Sequence, residues 1–504
     1  MFTVRHGPFL SVREGNETML FHSLEFLVFF PVVVLLYFAL PLRYKNYWLL
    51  FASYVFYMSW NPVYGLLLFG CTFVTWGAAL LVERVGSGGQ RRALFAAALL
   101  AVFGALFYYK YMNFVLANVG RVLLWLGVQA AIPKFDIILP VGISFFTFQA
   151  AGYLIDVYRK DIYAERNFFR YALFVSFFPQ LVAGPIERSK NLLKQLDKAY
   201  PFEYERVRRG LLIMLWGFFL KLVIADRCAL LVDTVFGKPQ NYSGIQLIVA
   251  AVLFSVQIYC DFMGYSTIAR GAALVIGYRL MENFRQPYFA TSVQEFWRRW
   301  HISLSTWFRD YLYIPLGGSR VQPLRRYLNL MVTFFVSGLW HGASWHFVVW
   351  GGLHGLFLTL EGLLAPWTKR TFTQWNIDPA NSLVRFLAAI KTFFLATIAW
   401  VFFRASSVEE AVNFLLRSTN LQNIGIVSHG GLYKLGLEEK SFYLLLIGMI
   451  ILAVFSHKRT CHPSFLSWLS SQKPIVRYCV YWVLTLMLTF SINLSEKEFI
   501  YFQF

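Results

Sequence analysis

Apolar runs close to membrane-spanning length, joined by short polar connections, recur from one end of this sequence to the other. The first covers Leu24 to Leu40 and is stopped by Pro41, with Arg43 and Lys45 just beyond. An aromatic-rich second run covers Tyr47 to Trp60, so the pair predicts a helical hairpin with a basic turn. Leu66 to Val82 and Ala93 to Phe107 flank the loop ERVGSGGQRR, whose Gly and Ser content marks an exposed connection. Tyr108 to Leu126, Tyr171 to Ala183, Gly210 to Ile224, Leu247 to Ile258, Gly351 to Leu364, Phe386 to Phe403, Ser441 to Phe455 and Val476 to Leu494 continue the pattern. A helix needs about 20 residues to cross roughly 30 Å of hydrocarbon, so the chain reads as an all-α polytopic membrane protein, a bundle of roughly eleven to thirteen membrane elements.

Two segments depart from this rhythm. In IILPVGISFFTFQAAGYLIDVYR, Pro140 and Gly142 interrupt the apolar run early. Backbone groups released by such a break cannot face lipid, so this element is expected to line the interior, with Asp156 and Arg159 at the interface. VEEAVNFLLRS predicts a short amphipathic helix, and the stretch from Glu187 to Arg209 a charged interfacial loop. The first eighteen residues are polar and lack a cleavable-signal pattern, whereas Met19 opens MLFHSLEFLVFFP like a natural start. Residues 1–18 are therefore expected to be an extension ahead of a single membrane domain, 19–504.

Composition sharpens this picture. Of 504 residues 58% are hydrophobic and 14% charged, and the mean hydropathy is +0.53, which excludes a soluble domain on a single anchor. The net charge of +20 comes from Lys and Arg in loops between apolar runs. That distribution fits positive-inside topology and anionic membrane lipids, and argues against nucleic acid. The five cysteines are scattered with no C-x-x-C pair, which speaks against a disulfide frame or a thiolate metal site.

The polar residues concentrate between Glu295 and Gly355, which opens with EFWRRWHISLSTWFRDYLYIPLGG and closes with GLWHGASWHFVVWGGLHG. Polar groups are costly at membrane depth, so function is expected here. The spacing predicts one amphipathic helix over Glu295 to Phe308, with Trp297, His301, Leu304, Ser305 and Phe308 near one face and Glu295 and Arg299 as an i,i+4 pair. Basic neighbours, Arg309 among them, place that helix on the cytoplasmic side. His341 sits in an apolar run, expected to be framed by Gly338, Gly342 and the indoles of Trp340 and Trp345. The near-neutral pKa of an ordinary imidazole is what suits histidine to act as a general base. His346 and His354 lie further on without an H-E-x-x-H spacing or nearby carboxylates, so no metal site is expected and His354 reads as a packed or hydrogen-bonded residue. Asp261 is enclosed by YCDFMGYS and is expected to pair with Arg270 or Arg309, or to orient a histidine.

Ordered blocks along the chain resemble the membrane-bound O-acyltransferase family, and within it the bacterial branch concerned with alginate O-acetylation. They are MLFHSLEFLVFFP, LPVGISFFTFQAAGYLIDVYR, FFPQLVAGPIER, DFMGYS, ENFRQPY, EFWRRWHISLSTWFRDYLYIPLGG and GLWHGASW with LHG. The resemblance implies a helical bundle with a central channel, in which His341 matches the family's essential histidine as general base and His301 is a second, thioester-side histidine. Trp340, Trp345, Trp297, Arg309, Asp310 and Asp261 are the supporting or channel positions it suggests. It further implies a cytoplasmic thioester donor, acetyl-CoA or an acyl carrier, with no bound cofactor and no metal. An exported polysaccharide would be the acceptor and a periplasmic serine-hydrolase-like acetyltransferase the partner, at the cell inner membrane. Export of D-alanyl groups and flipping of a lipid-linked sugar are the alternatives; the chain shows no internal repeat of the transporter kind.

Overall fold

The computed structural model describes residues 19–421, 431, 435–461 and 469–491, apart from 87, 183 and 243. The expectation about residues 1–18 thus lies outside the described residues. The elements are helices, with no strand among the described residues. Their order begins α1 (Leu24–Ala39), α2 (Lys45–Met58), α3 (Pro62–Arg84), α4 (Gly89–Trp125), α5 (Ile143–Tyr158), α6 (Phe168–Ser176) and α7 (Phe178–Leu181). Then come α8 (Tyr204–Phe218), a π-helical turn (Phe219–Ala225), α9 (Asp226–Gly237), α10 (Ile245–Ile276), α11 (Val293–Arg299) and α12 (Ile302–Phe308). The chain continues through α13 (Pro323–His341), α14 (Trp345–Gln374), α15 (Ser382–Arg404), α16 (Val408–Ser418), α17 (Glu439–Cys461) and α18 (Pro474–Thr489). Among the described residues six helices are long and apolar enough to cross a membrane, and α1 and α18 are shorter apolar helices.

Local chemistry sets many of the helix starts. Asn61 accepts from the Val63 amide ahead of Pro62, and Asn167 and Asn381 cap α6 and α15 in the same way. Ser407 caps the predicted amphipathic helix α16, while the Glu410 carboxylate reaches back to the Ser406 amide. The break anticipated at Pro140 and Gly142 is present, since α5 begins only after Gly142, whose φ of 75° is left-handed. A Cβ there would sit 2.8 Å from the Leu181 carbonyl oxygen. All of α5 except Ile155 and Tyr158 is buried, as its interior assignment requires. Asp156 is the exception to the interfacial expectation. It is buried and accepts hydrogen bonds from Tyr311 Oη (2.8 Å) and Ser189 Oγ (3.1 Å), because α5 ends against the 189–193 turn and not in open solvent.

The core is built around α10, which lies along the composite helix α8–π–α9. Two glycines seven residues apart on each helix make that approach possible. A Cβ on Gly217 would lie 2.7 Å from the Gly264 carbonyl oxygen, and one on Gly271 2.6 Å from that of Gly210. Without a hydrophobic driving force between helices in lipid, close backbone packing of this kind supplies the adhesion. Gly264→Val is therefore expected to lower stability by about 1–3 kcal/mol. Gly104→Val, where nothing lies within 4 Å of the added Cβ, should leave it unchanged. Thermal unfolding of the two variants in detergent checks this; equal midpoints would refute it.

The same crossing buries an ionic cluster. Lys221 Nζ, in the π turn, is 2.7 Å from Asp261 on α10 and 2.9 Å from Asp226, with all three side chains at most 7% exposed. Asp261 is paired, as its cost demanded, but with a lysine and not with either expected arginine. Arg270 lies against Glu282 and Arg309 against Asp310. Gly264, one turn beyond Asp261, clears the space through which Lys221 passes, since its added Cβ would meet Lys221 Cβ at 3.3 Å.

Candidate active site

The predicted helix over Glu295 to Phe308 is two helices. α11 ends at Arg299 and α12 begins at Ile302, with His301 between them at φ 41° and ψ 55°. A left-handed non-glycine residue costs about 1–3 kcal/mol and persists only where surroundings hold it. Here Asn283 does the holding: its carbonyl accepts from the Ile302 amide (2.9 Å), and its side-chain oxygen accepts from the Ser303 amide (3.2 Å). Its Nδ2 is anchored in turn on Ser266 Oγ (3.2 Å). The Ile186 amide donates to Ser303 Oγ (3.1 Å), which lies 3.5 Å from His301 Nδ1. Glu187 accepts from the Met281 amide and so ties down the stretch that carries Asn283. Burial pushes the Glu187 carboxyl up to about 7, against the lowering effect of those hydrogen bonds. Three sequence blocks, GPIER, ENF and WHIS, thus converge on one imidazole. The helix breaks because His301 is turned inward, fully buried and edge-on to the Phe262 ring at 4.6 Å.

His341 is the last residue of α13 and is also buried. Trp340 stands between the two histidines, with its ring centroid 6.1 Å from His301 and 4.9 Å from His341. Trp350 at 4.9 Å and Phe403 at 5.3 Å also lie against the His341 ring. Trp345 is not among them. It is half exposed, rests on Phe114 and donates to Asn118 Oδ1 (2.9 Å). Gly342 takes an extended conformation after α13, so Trp345 starts a new helix facing outward while Trp350, further along α14, points back. Gly338 and Gly342 serve helix approach, since a Cβ on either would fall within 2.2 Å of Phe347 atoms. His354 Nδ1 accepts from the Trp297 indole (3.3 Å), and His346 Nδ1 lies 3.1 Å from the Phe402 carbonyl oxygen. Both rings are hydrogen-bonded within the bundle.

A cavity of about 790 Å³ runs between α11–α12, α13 and α14. Exposed Arg298 and Arg309, with Arg326, stand in its outer wall; Trp297, Leu304, Phe308 and Ser337 close its inner end. Ser337 and His341 share a face of α13 four residues apart, so one helical turn separates the cavity wall from the imidazole. Of the supporting residues read from the sequence, Trp340 meets both histidines, Trp297 meets His354 and Arg309 lines the cavity. Asp310 belongs to an ionic cluster at the same end of the fold, accepting from Arg188 Nη2 (3.1 Å). Asp261 serves the Lys221 cluster. Sequence reasoning passed over Asn283, Trp350 and Lys110, whose Nζ donates to the carbonyls of Trp340 (2.6 Å) and His341 (3.1 Å). For Lys110 a signal was present: it is a lone cation in the middle of a long apolar helix.

Buried imidazoles in an aromatic cage, one helical turn from a cavity that reaches the basic surface of a helical bundle, are placed as proton-transfer groups in an integral membrane protein would be. The family follows from comparison with known proteins. The family model for MBOAT, the membrane-bound O-acyltransferase family, matches residues 165–408. A probable alginate O-acetylase from Azotobacter vinelandii is 37% identical over 87% of this chain and 85% of its own length. A probable alginate O-acetylase from Pseudomonas aeruginosa is 40% identical over 78% of this chain and 73% of its own. A peptidoglycan O-acetyltransferase from Helicobacter pylori is 36% identical over 81% of each. This chain belongs to the membrane-bound O-acyltransferase family, and is a multi-pass membrane O-acyltransferase.

Proposed function

We propose that this protein moves acetyl groups from a cytoplasmic thioester to the far side of the cell inner membrane for O-acetylation of an exported envelope polysaccharide. The observation that carries the reading is the cavity between the arginines and Ser337, one turn from His341. Arg298, Arg309 and Arg326 suit the phosphates of acetyl-CoA, or the acidic surface of an acyl carrier protein. The acceptor class is suggested by the relatives, whose names specify alginate and peptidoglycan.

In this reading His341 takes the proton of an acceptor hydroxyl as its oxygen attacks the thioester carbonyl. The new C–O bond forms, the C–S bond breaks, and the thiol leaves with a proton. The acceptor is the polysaccharide itself or the serine of a periplasmic serine-hydrolase-like acetyltransferase that passes the group on.

Proteoliposomes given acetyl-CoA labelled in the acetyl group test the donor. Hydrogen bonds to charged groups contribute about 1.5–3 kcal/mol, so replacing Arg298, Arg309 and Arg326 with Ala should raise the donor KM at least about tenfold. An unchanged KM for acetyl-CoA would remove those arginines from donor binding. Turnover with an acetylated acyl carrier but not with acetyl-CoA would reassign the donor.

A further inference from the structure

A helix leaves its last four carbonyls without intrahelical partners, and at membrane depth no bulk water replaces them. In α13 these belong to Gly338, Leu339, Trp340 and His341, so the orphaned groups fall on the segment that presents the imidazole. The Gly342 amide takes the Gly338 carbonyl (3.4 Å). Two consecutive residues of α4 take the other three. Tyr111 Oη donates to Leu339 (2.9 Å), and Lys110 Nζ donates to Trp340 (2.6 Å) and His341 (3.1 Å). The lysine also lies 5.9 Å from the Trp340 ring, and no carboxylate pairs with it among the described salt bridges. A positive charge at the negative end of a helix is favourable in its own right.

We propose that Lys110, seconded by Tyr111, is a positioning residue for the candidate catalytic histidine. Its ammonium group closes the end of α13 and so fixes the direction in which His341 leaves the helix. The proposal rests on the reading of His341 as general base. It gives α4, a largely lipid-facing helix, a part in the chemistry, because three polar contacts cross from it to the segment that ends in His341. The aminoalkyl chain is the reason a lysine is used: it spans the gap between helices and offers more than one N–H to two adjacent carbonyls.

The test uses the purified full chain in proteoliposomes, with acetyl-CoA as donor, unacetylated alginate as acceptor and thiol release as readout. Misplacing a reacting group by about 1 Å can cost roughly 100-fold, so Lys110→Met should lower kcat at least about tenfold with the donor KM within about twofold. Lys110→Arg should recover most of the loss. Lys110→Cys treated with 2-bromoethylamine regains an ammonium at lysine length, and at least a fivefold or so gain in kcat on alkylation is expected. That comparison is made within one folded preparation, so it holds even if Lys110→Met does not accumulate. The parent protein alkylated in parallel controls for its own cysteines. Complete modification by mass with no gain in kcat overturns the proposal, as does full turnover by Lys110→Met. His341→Gln in the same assay separates the two claims. If it remains active, the reading of His341 fails and Lys110 with it; if it is inactive while the Lys110 variants are normal, only the Lys110 proposal fails.

Discussion

His341→Gln is expected to lower acyl transfer by about 10²–10⁴-fold, the usual contribution of a positioned general base, while the protein still assembles in the membrane. Glutamine keeps the approximate length and polarity of the side chain within the cage of Trp340, Trp350 and Phe403, so the variant does not empty a buried site. The measurement is the acetyl content of the exported polymer in cells, alongside transfer by purified protein. Polymer acetylated to the parental degree, with normal membrane levels of the variant, would sink the assignment. Polymer that still reaches the outside without acetyl groups would argue against a flippase, since transport would have survived the loss. His301→Gln should also impair transfer, and because the Asn283 side chain helps to hold residue 301 in its left-handed conformation, Asn283→Ala should mimic it in part.

The largest effect on stability is expected at Lys221. Its ammonium lies between Asp226 and Asp261, all of them withdrawn from solvent. Lys221→Met would leave two carboxylates facing an apolar side chain in the bundle. Removing one partner of a buried ionic contact costs about 3–5 kcal/mol, because the remaining charge stays desolvated without compensation. Asp261→Asn is the informative comparison, since it leaves a one-to-one pair between Lys221 and Asp226 and should be much milder. Thermal unfolding in detergent and the amount of membrane-inserted protein distinguish the two. A Lys221→Met protein as stable as the parent, or an Asp261→Asn protein that is the worse of the pair, would show that the cluster is not what holds α10 to the π turn. The π turn has its own compensation in Arg227, which donates to the Leu222 carbonyl (2.7 Å) and so satisfies backbone released by the irregular geometry.

Much of the fold was legible in the chain because its causes are local. Apolar run length marked most of the spanning helices, although it divided the single helix α4 into the runs Ala93 to Phe107 and Tyr108 to Leu126, and Pro140 with Gly142 marked the place where the buried helix α5 could not yet begin. The two histidines were legible as polar residues that lipid would not tolerate without a purpose. Their surroundings were less so. A periodicity of 3.6 residues assigns a face to each side chain but says nothing of what another helix places opposite it. The continuous helix over Glu295 to Phe308 satisfied that periodicity, yet long-range hydrogen bonds from Asn283 and Ile186 favour the break at His301. Trp345 was the nearer indole to His341 along the chain, but the turn through Gly342 gives that place to Trp350.

By itself the sequence determined that this is a helical membrane protein and where along the chain its polar residues gather among apolar ones, since hydrophobic run length and the cost of polar groups in lipid are properties of a few neighbouring residues. Tertiary structure alone decided that Asp261 pairs with Lys221, that Asn283 holds His301 in a left-handed turn, and that Lys110 closes the helix ending in His341. Each of those contacts joins residues far apart in the chain. For Lys221 and Asp261 the meeting is settled by backbone approach at Gly217 and Gly264, which no local pattern of polar and apolar residues encodes.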